Sequence, residues 1–242
     1  MKRVLVTGSS RGIGKAVALR LAKDGFHVIV HAAKNQEKAN ETCRSIREAG
    51  GSAEVLIADL RDAARAAALG QLAGELDALV LNASLQYRTP WEQITPEAAE
   101  EQIHCNFLSS LLLIQSAVPN MRARGWGRIV TVGSVQEAKP HPDMLVYSAT
   151  KAAQTNMVRS LALQLAGSGI TVNNVAPGVI YTDRNVEALS DAEYAKKVVS
   201  TIPVGYYGQP EDCTGIISLL LSEEGRYITG QSIGVDGGKS IQ

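Results

Sequence analysis

The sequence predicts an α/β protein in which one parallel β-sheet carries helices on both faces. Two observations lead to this prediction: short runs of aliphatic and β-branched residues alternate with longer helical patterns, and most of those runs are apolar throughout. Strands with one face in water alternate between apolar and polar residues, whereas strands covered on both faces are continuously apolar. No repeat or linker divides the chain, so residues 1–242 are predicted to form a single domain.

The predicted elements follow one another in strict alternation. Strands are predicted at 3–7, 27–31, 53–58, 78–82, 128–133, 170–176 and 231–235, and helices at 13–24, 35–49, 60–74, 96–123, 148–167 and 210–221. Short connections between strand and helix require right-handed crossovers, which produce a doubly wound sheet of the Rossmann type with seven strands. Residues 179–209 have a weaker pattern and are predicted to form a flap over a substrate, with Val186, Leu189, Val198 and Ile202 facing the pocket.

Composition excludes several classes of protein. Lys plus Arg and Asp plus Glu each number 24, so no basic excess indicates a nucleic-acid partner. The longest apolar stretch, 111–114, is far too short to span a membrane, and the first apolar run is too short for a signal peptide. Three cysteines without a CxxC pair indicate free thiols in a reducing compartment, so a cytoplasmic location is predicted. The four histidines show no ligand spacing, and no metal site is predicted.

The glycine cluster "TGSSRGIG" (7–14) comes directly after the first predicted strand and opens a helix. Glycines permit a tight turn there, let backbone N–H groups approach a phosphate, and allow the helix to pack closely on the strand. We therefore predict a dinucleotide-binding turn, the alternative being an ordinary strand–helix connection. The residues predicted to contact the cofactor here are Gly8, Ser10, Arg11, Gly12, Ile13 and Gly14.

The end of the second predicted strand distinguishes two cofactors. An acidic side chain at this place would hydrogen-bond the ribose 2′-OH of NAD, but "VIVHAAKNQ" (28–36) contains no Asp or Glu. Lys34 and Arg11 instead favour the 2′-phosphate of NADP, so NADP(H) is preferred over NAD(H). Lys34 as a solvated loop charge is the alternative. Asp59, after the third strand, is placed either to accept from the adenine amino group or to cap a helix that begins at Leu60.

"YSATK" (147–151) places a phenol and an ammonium four residues apart, on one face of a predicted helix. A tyrosine ordinarily has a pKa near 10, and a neighbouring cation is expected to draw that value towards neutral pH. Such a phenol suits proton exchange with the oxygen of a carbonyl group that receives a hydride. Ser134, at the carboxyl end of the fifth strand, is placed to donate a hydrogen bond to the same oxygen.

With the glycine turn, Asn106, Gly133–Ser134 and "YSATK", the chain resembles the short-chain dehydrogenase/reductase family over essentially its whole length. "GRIVTVGSV" (127–135) and "GITVNNVAPGVIYTD" (169–183) are similar to the 3-oxoacyl-(acyl-carrier-protein) reductase group. The resemblance implies an NADP(H)-dependent oxidoreductase acting between a ketone and a secondary alcohol. It also implies a catalytic set of Asn106, Ser134, Tyr147 and Lys151, in which Lys151 reaches the nicotinamide ribose and Asn106 holds a water.

The resemblance implies further contacts. Those to the cofactor are made by Asp59, Leu60, Asn82, Ala83, Ser84, Tyr147, Lys151, Pro177, Gly178, Ile180 and Thr182. Ser84 stands where most relatives carry glycine, so it adds a side chain beside the cofactor ribose. For the substrate, the predicted wall residues beside Ser134 and Tyr147 are Gln136, Met144 and Tyr181.

The resemblance also bears on partners. Acyl-carrier-protein reductases often present two arginines near the mouth of the site; Arg128 matches one, but Ser168 replaces the other, which weakens the case for a carrier protein. The family usually forms homotetramers through its long helices, and the apolar segment 106–118 fits such a contact. The substrate is a small-molecule or acyl carbonyl compound. Two alternatives stay open: an NAD-dependent polyol or sugar alcohol dehydrogenase, and a dinucleotide-binding regulator without turnover, which an intact catalytic set disfavours.

Overall fold

A computed structural model of the chain describes residues 1–186 and 189–242 in full. Its strands are β1 (Arg3–Val6), β2 (His27–Ala32), β3 (Ser52–Ile57), β4 (Ala78–Leu81), β5 (Gly127–Val132), β6 (Ile170–Pro177) and β7 (Ser232–Val235). They form one sheet in the order β3–β2–β1–β4–β5–β6–β7, and every neighbouring pair is parallel. The predicted single Rossmann-like α/β domain is confirmed.

The helices are α1 (Gly12–Lys23), α2 (Gln36–Glu48), α3 (Ala63–Leu72), α4 (Pro96–Ile103), α5 (Ser109–Arg124), α6 (Leu145–Leu165), α7 (Val186–Ser190), α8 (Ala192–Val199) and α9 (Thr214–Leu221). Predicted boundaries were wrong where capping side chains decide them. Helix α3 begins three residues late because the Asp62 carboxylate caps it, accepting from the backbone N–H groups of Ala64 and Arg65. The helix predicted at 96–123 is interrupted by a π-helical turn at His104–Leu108.

Two apolar layers enclose the sheet. Alternate residues of β1 face opposite ways: Val4 and Val6 join one buried cluster, which includes residues of α1, α2 and α9. Leu5 joins the other, which includes residues of α3, α5 and α6. All three side chains are fully buried. Because both faces are covered, the carboxyl edge of the sheet is the open place where loops can build a site.

Residues 179–209 leave the sheet after β6 and contain α7 and α8. The two ends of this segment are joined by a bridge between Ile180 and Gly208, and its later part is tied to the last loop through Val204 N–H, which donates to the carbonyl of Gly237 at 3.2 Å. Among the described residues, no helix is long and apolar enough to cross a membrane.

Candidate active site

A cavity of about 880 Å³ opens at the carboxyl ends of the strands. The strand order reverses between β1 and β4, and ligands of open α/β sheets bind in the crevice at such a reversal. The cavity is lined by the glycine turn, by residues that follow β2, β3, β4 and β5, and by the segment after β6. Its size is typical of sites for small molecules and cofactors.

The glycine turn is built so that its backbone faces the cavity. Gly8 has φ of +65°, in the left-handed region that favours glycine. A Cβ atom on Gly14 would lie 2.3 Å from the Gly8 carbonyl oxygen, so only glycine allows α1 to start this close to β1. Asn82, predicted to bind cofactor, donates from Nδ2 to the carbonyls of Thr7 (2.9 Å) and Gly8 (3.1 Å). The turn is therefore braced from the end of β4.

His31, at the end of β2, is a second brace that the sequence analysis missed. Its Nδ1 accepts from the N–H of Gly8 at 3.0 Å, and its Nε2 lies 2.9 Å from the carbonyl oxygen of Ala58, to which it donates. The ring is 1 % exposed, and burial lowers the pKa of His31 to about 4. Its place next to the glycine turn in the sheet was the available signal, since β1 and β2 are neighbours.

The end of the cavity formed by the residues after β2 and β3 carries cations and a tightly held carboxylate. Lys34 and Arg11 line it, and no carboxylate follows β2 before α2 begins. Asp59 accepts from Arg61 at 3.0 Å (Nε) and 2.7 Å (Nη2), and these hydrogen bonds lower the Asp59 pKa to about 2. Asp59 does not cap a helix at Leu60, so that alternative is wrong: Asp62 is the cap.

The four residues expected to be catalytic meet where β5 ends and α6 begins. Ser134 follows β5, and its side chain lies close enough to the Tyr147 hydroxyl to act on the pKa of that phenol. Tyr147 and Lys151 lie one turn apart on α6, with the Lys151 Nζ 5.7 Å from the centre of the Tyr147 ring. Asn106 lies in the π-helical turn; its Oδ1 accepts from Leu85 N–H at 2.7 Å, and its Nδ2 donates to Leu85 O at 2.9 Å.

The expected lowering of the Tyr147 pKa is not what this structure shows. Tyr147 is 5 % exposed, and burial raises the pKa of its phenol; Ser134 and Arg184 act in the opposite direction. Lys151 directs its ammonium elsewhere, donating to Val132 O at 2.8 Å and to Gln154 Oε1 at 3.1 Å. Burial also lowers the pKa of Lys151 itself, to about 7, so the cation is only partly charged at neutral pH.

Arg184 is a side chain of the cavity that sequence reasoning missed entirely. It lines the cavity from the segment after β6, and its Nη2 donates to Ser84 O at 3.0 Å and Ser84 Oγ at 3.2 Å. Ser84 thus carries a polar contact at the position where the family resemblance implied a bare backbone. A single arginine two residues after Thr182 has no periodicity or spacing that would have signalled it.

Most of the other predicted cofactor contacts line the cavity. These are Ser10, Gly12, Ile13, Leu60, Ala83, Pro177, Gly178, Ile180 and Thr182. The side chain of Thr182 packs on the glycine turn, since a Cβ atom on Gly12 would lie 3.3 Å from its Cγ2. The segment after β6 therefore reaches back across the cleft to the first turn of the chain.

Two of the three residues predicted to form the substrate wall line the cavity. Gln136 and Met144 line the cavity and contact each other, with Gln136 Nε2 3.2 Å from the Met144 sulfur. Tyr181 does not line it; its ring stacks on Tyr207, with centroids 5.4 Å apart. Of the four apolar flap residues, two line the cavity and two do not. Leu189 and Val198 line the cavity. Val186 is exposed, and Ile202 packs against Gly237.

Arg128 is not at the mouth of the site. It lies near the amino end of β5, at the opposite edge of the sheet from the cavity, and is 2 % exposed. Its guanidinium donates to the carbonyls of Gly127 and Ser222 and stacks on Trp126, 4.5 Å from the ring centre. Burial within these contacts leaves Arg128 unavailable to a docking partner. Ser168 follows α6 at the same edge.

This fold and cleft define a dinucleotide-binding oxidoreductase. The sequence model of the short chain dehydrogenase family matches residues 2–193. The chain is 36 % identical over 241 residues to the 3-oxoacyl-[acyl-carrier-protein] reductase FabG of Staphylococcus aureus, covering 98 % of this chain and 97 % of that protein. It therefore belongs to the short-chain dehydrogenase/reductase family, as the sequence resemblance implied.

Solved structures of two kinds of enzyme are similar to it. A 3-oxoacyl (acyl-carrier-protein) reductase of Agrobacterium tumefaciens with NADP bound matches with a TM-score of 0.94 at 38 % identity, covering 98 % of this chain and 93 % of that one. A gluconate 5-dehydrogenase of Burkholderia cenocepacia, in complex with NADP and tartrate, matches with a TM-score of 0.93 at 31 % identity, covering 100 % and 96 %. A nicotinamide dinucleotide is accordingly the cofactor class of this fold.

Proposed function

We propose that the chain is an NADP(H)-dependent carbonyl reductase, which transfers a hydride between the nicotinamide and a ketone or secondary alcohol. One observation carries this proposal: Ser134 and Tyr147 line the same cavity, close enough to act on one another, together with a glycine turn in which a Cβ atom at Gly14 has no room. Two adjacent hydroxyls of this kind suit a carbonyl oxygen that gains negative charge during reduction.

The residues present fit the cofactor. The glycine turn leaves no room for a Cβ atom at Gly14 and turns its backbone towards the cleft, as a diphosphate requires. Pro177, Gly178, Ile180 and Thr182 form the facing wall, where they would hold the nicotinamide end. When bound, the nicotinamide supplies or accepts the hydride.

Proton movement falls to the chain's own residues. Ser134 donates to the carbonyl oxygen and fixes its position, while Tyr147 transfers the proton to that oxygen as charge develops. Lys151 supplies positive charge behind the phenol, and its near-neutral pKa lets it exchange protons at working pH. Asn106 holds the Leu85 backbone and Thr150 (Nδ2 to Oγ1, 3.0 Å), which keeps the start of α6 against the loop after β4.

The preference for NADP over NAD rests on Arg11 and Lys34. Both line the adenosine end of the cavity, where no acidic residue follows β2 to bind a ribose 2′-OH. Lys34 Nζ lies 4.0 Å from Asp59, but that carboxylate is already engaged by two hydrogen bonds from Arg61. The lysine is three-quarters exposed and can turn to a 2′-phosphate.

Partners and assembly follow from the family. We propose a homotetramer, in which residues 179–209 close over the substrate of each subunit. The relatives include enzymes named for acyl thioesters and for gluconate, so either class of carbonyl compound is a candidate. An acyl carrier protein is the weaker partner, because Ser168 lacks the charge and Arg128 is buried.

A substrate screen with both cofactors tests the proposed function. Purified protein is assayed for NADPH and NADH oxidation against a panel that includes a 3-oxoacyl thioester, oxo acids, ketoses and neutral ketones. Turnover with NADPH is expected to exceed turnover with NADH on at least one ketone. Preference for NAD and a sugar alcohol would support the polyol dehydrogenase instead, and NADPH binding without turnover on any member would support the regulator.

A further inference from the structure

The Arg184 guanidinium lies near the Tyr147 hydroxyl, and the hydrogen bonds that hold it go to a neutral residue, Ser84. Its Nη2 bonds Ser84 twice, and it is close enough to Tyr147 and Lys151 to lower both of their pKa values. Among the described residues no carboxylate forms an ion pair with it. A guanidinium carries five N–H donors in a planar fork, so most of its donors remain available to another molecule.

The cavity around Arg184 has a marked excess of positive charge. Seven further cations line the cavity as a whole. Four come from the loop after β4, the loop after β5, α8 and the last loop (Arg88, Lys139, Lys197 and Lys239), and the others are Arg11, Lys34 and Arg61. Among the described residues only two carboxylates line the cavity, and both are engaged elsewhere. Asp59 is held by Arg61, and Asp183 points to Lys38 of α2 at 3.8 Å.

The contacts of Arg184 lie away from the glycine turn, where we place the cofactor's phosphates. Thr182 packs against Gly12 of the glycine turn, whereas Arg184, two residues later, reaches Ser84 and Tyr147. The Ser84 hydroxyl accepts one of the two hydrogen bonds that orient the guanidinium, and glycine at that position would offer no such acceptor. Ser84 and Arg184 thus form one hydrogen-bonded pair in this chain.

We propose that Arg184 binds a carboxylate group of the substrate, so that the natural substrate is a small oxo acid or the corresponding hydroxy acid. Arginine pairs with carboxylates through two parallel hydrogen bonds, which fixes both position and orientation. A carboxylate held there places the rest of a short acid beside Ser134 and Tyr147. This inference rests on the proposed function, since it names the substrate class of the same site.

The test compares oxo acids with their methyl esters, which have the same carbon skeleton without the charge. The ketone is placed at position 2, 3 or 5 to find the spacing that the site accepts. The wild-type protein is expected to prefer at least one acid over its ester by tenfold or more in kcat/KM with NADPH. Arg184→Gln should lower that kcat/KM about 10- to 100-fold for the acid and leave the ester nearly unchanged.

Further variants separate a direct contact from general electrostatics. Arg184→Lys should retain part of the acid preference, and Arg44→Gln, at an exposed arginine of α2, should retain all of it. The dissociation constant of NADPH, measured by its fluorescence, should be unchanged in Arg184→Gln. Equal turnover of acids and esters by the wild type would overturn the inference, as would loss of NADPH binding in place of loss of acid preference.

Failure of the proposed function would look different. If no ketone is reduced, the reductase assignment fails. Calorimetry of hydroxy acids on the NADP⁺-loaded protein then still tests whether Arg184 binds a carboxylate. Binding of the acid that Arg184→Gln abolishes would support the inference. Absence of binding for every acid in the series would contradict it.

Discussion

Lys151 and Tyr147 are one helical turn apart, yet burial has a larger effect on the pKa of each residue than its neighbour has. The ammonium of Lys151 donates to Val132 O and Gln154 Oε1, and its loss of water lowers its pKa to about 7. Tyr147 loses water as well, which raises the pKa of its phenol. For side chains this deeply buried, the free-energy cost of removing the charged form from water exceeds the stabilisation that a neighbouring charge provides. We therefore expect proton transfer at Tyr147 to rely on Ser134, which lies beside the phenol and acts against the effect of burial.

Replacing Tyr147 with Phe removes the hydroxyl and little else. The ring still packs in place, so the cofactor cleft keeps its shape, but no group remains to give the carbonyl oxygen its proton. We expect kcat to fall by roughly 10²–10⁴-fold, with NADPH bound as tightly as before. Steady-state assays and NADPH fluorescence titration measure the two quantities. Turnover within a few-fold of wild type would remove Tyr147 from the mechanism.

Lys34→Asp reverses the charge at the adenosine end of the cavity. A carboxylate there should repel a 2′-phosphate and accept from a ribose 2′-OH, so the ratio of kcat/KM for NADPH over NADH should fall at least tenfold. Lys23→Asp, an exposed lysine at the end of α1, is the matched control and should leave the ratio unchanged. An unaltered ratio in both variants would make Lys34 an ordinary surface charge.

His31 makes stability depend on pH. Its pKa is about 4 in the fold against an ordinary 6.5, so between those values the unfolded chain takes up a proton that the folded chain excludes. Stability is therefore lost as pH falls from about 6.5 to about 4, by about 3 kcal/mol in total, and the loss levels off below that range.

His31→Gln isolates this dependence, because Gln keeps one acceptor for Gly8 N–H and one donor for Ala58 O but does not titrate. Urea unfolding at a fixed protein concentration is measured between pH 4 and 7 for both proteins. The wild type should lose about 3 kcal/mol more than the variant over this range. Parallel curves would mean that His31 is protonated in the folded state.

At the scale of elements, the approach of α1 to β1 decides whether the cleft can hold a diphosphate. Gly14→Ala would place a methyl group 2.3 Å from the Gly8 carbonyl oxygen, so α1 must move away from the turn. We expect NADPH affinity to fall by tenfold or more and the melting temperature to drop. Differential scanning fluorimetry with and without NADPH measures both effects.

Gly215→Ala is the control for that substitution. Gly215 is in α9, and a Cβ atom there would meet nothing within 4 Å. The change should raise stability by about 0.5–1 kcal/mol through helix propensity and leave NADPH affinity as it is. Similar behaviour of the two variants would show that packing at Gly14 does not shape the cleft.

The π-helical turn between α4 and α5 is a second element whose geometry shapes the site. It carries Asn106, whose amide bonds both backbone groups of Leu85 as well as Thr150. Inserted residues of this kind are frequent at functional sites, because they turn one side chain away from the helical repeat. Here the turn ties the loop after β4 to the start of α6, and so ties Ser84 and Arg184 to Tyr147.

For the whole molecule, the exposed side of α6 is where we expect subunits to meet. Leu163 is 87 % exposed there, and the exposed residues before it on the helix include Ala149, Ala152, Ala153 and Ser160, with Asn156 and Arg159 among them. Small residues allow helices to approach closely. Leu163→Arg should reduce the mass measured by light scattering from tetramer to a smaller species. Leu72→Arg, at an exposed leucine of α3, should leave the mass unchanged, and a tetramer in both variants would place the contact elsewhere.

The sequence by itself determined the parallel sheet and the cofactor class, and it predicted the catalytic set. Continuous apolar runs indicate strands buried on both faces, and the glycine turn indicates a close approach of the backbone to a phosphate. "YSATK" indicates two polar groups on one face of a helix. These are local patterns, so a single chain segment carries each of them.

Only the tertiary structure decided which distant side chains act on one another. His31 meets Gly8 because β1 and β2 are neighbours, and Arg184 meets Ser84 across the cleft, a hundred positions apart in the chain. Arg128 is carried to the far edge of the sheet by the direction of β5. The pKa values of Tyr147 and Lys151 likewise follow from how deeply the fold buries them. Burial is a property of the packed molecule and has no pattern along the chain.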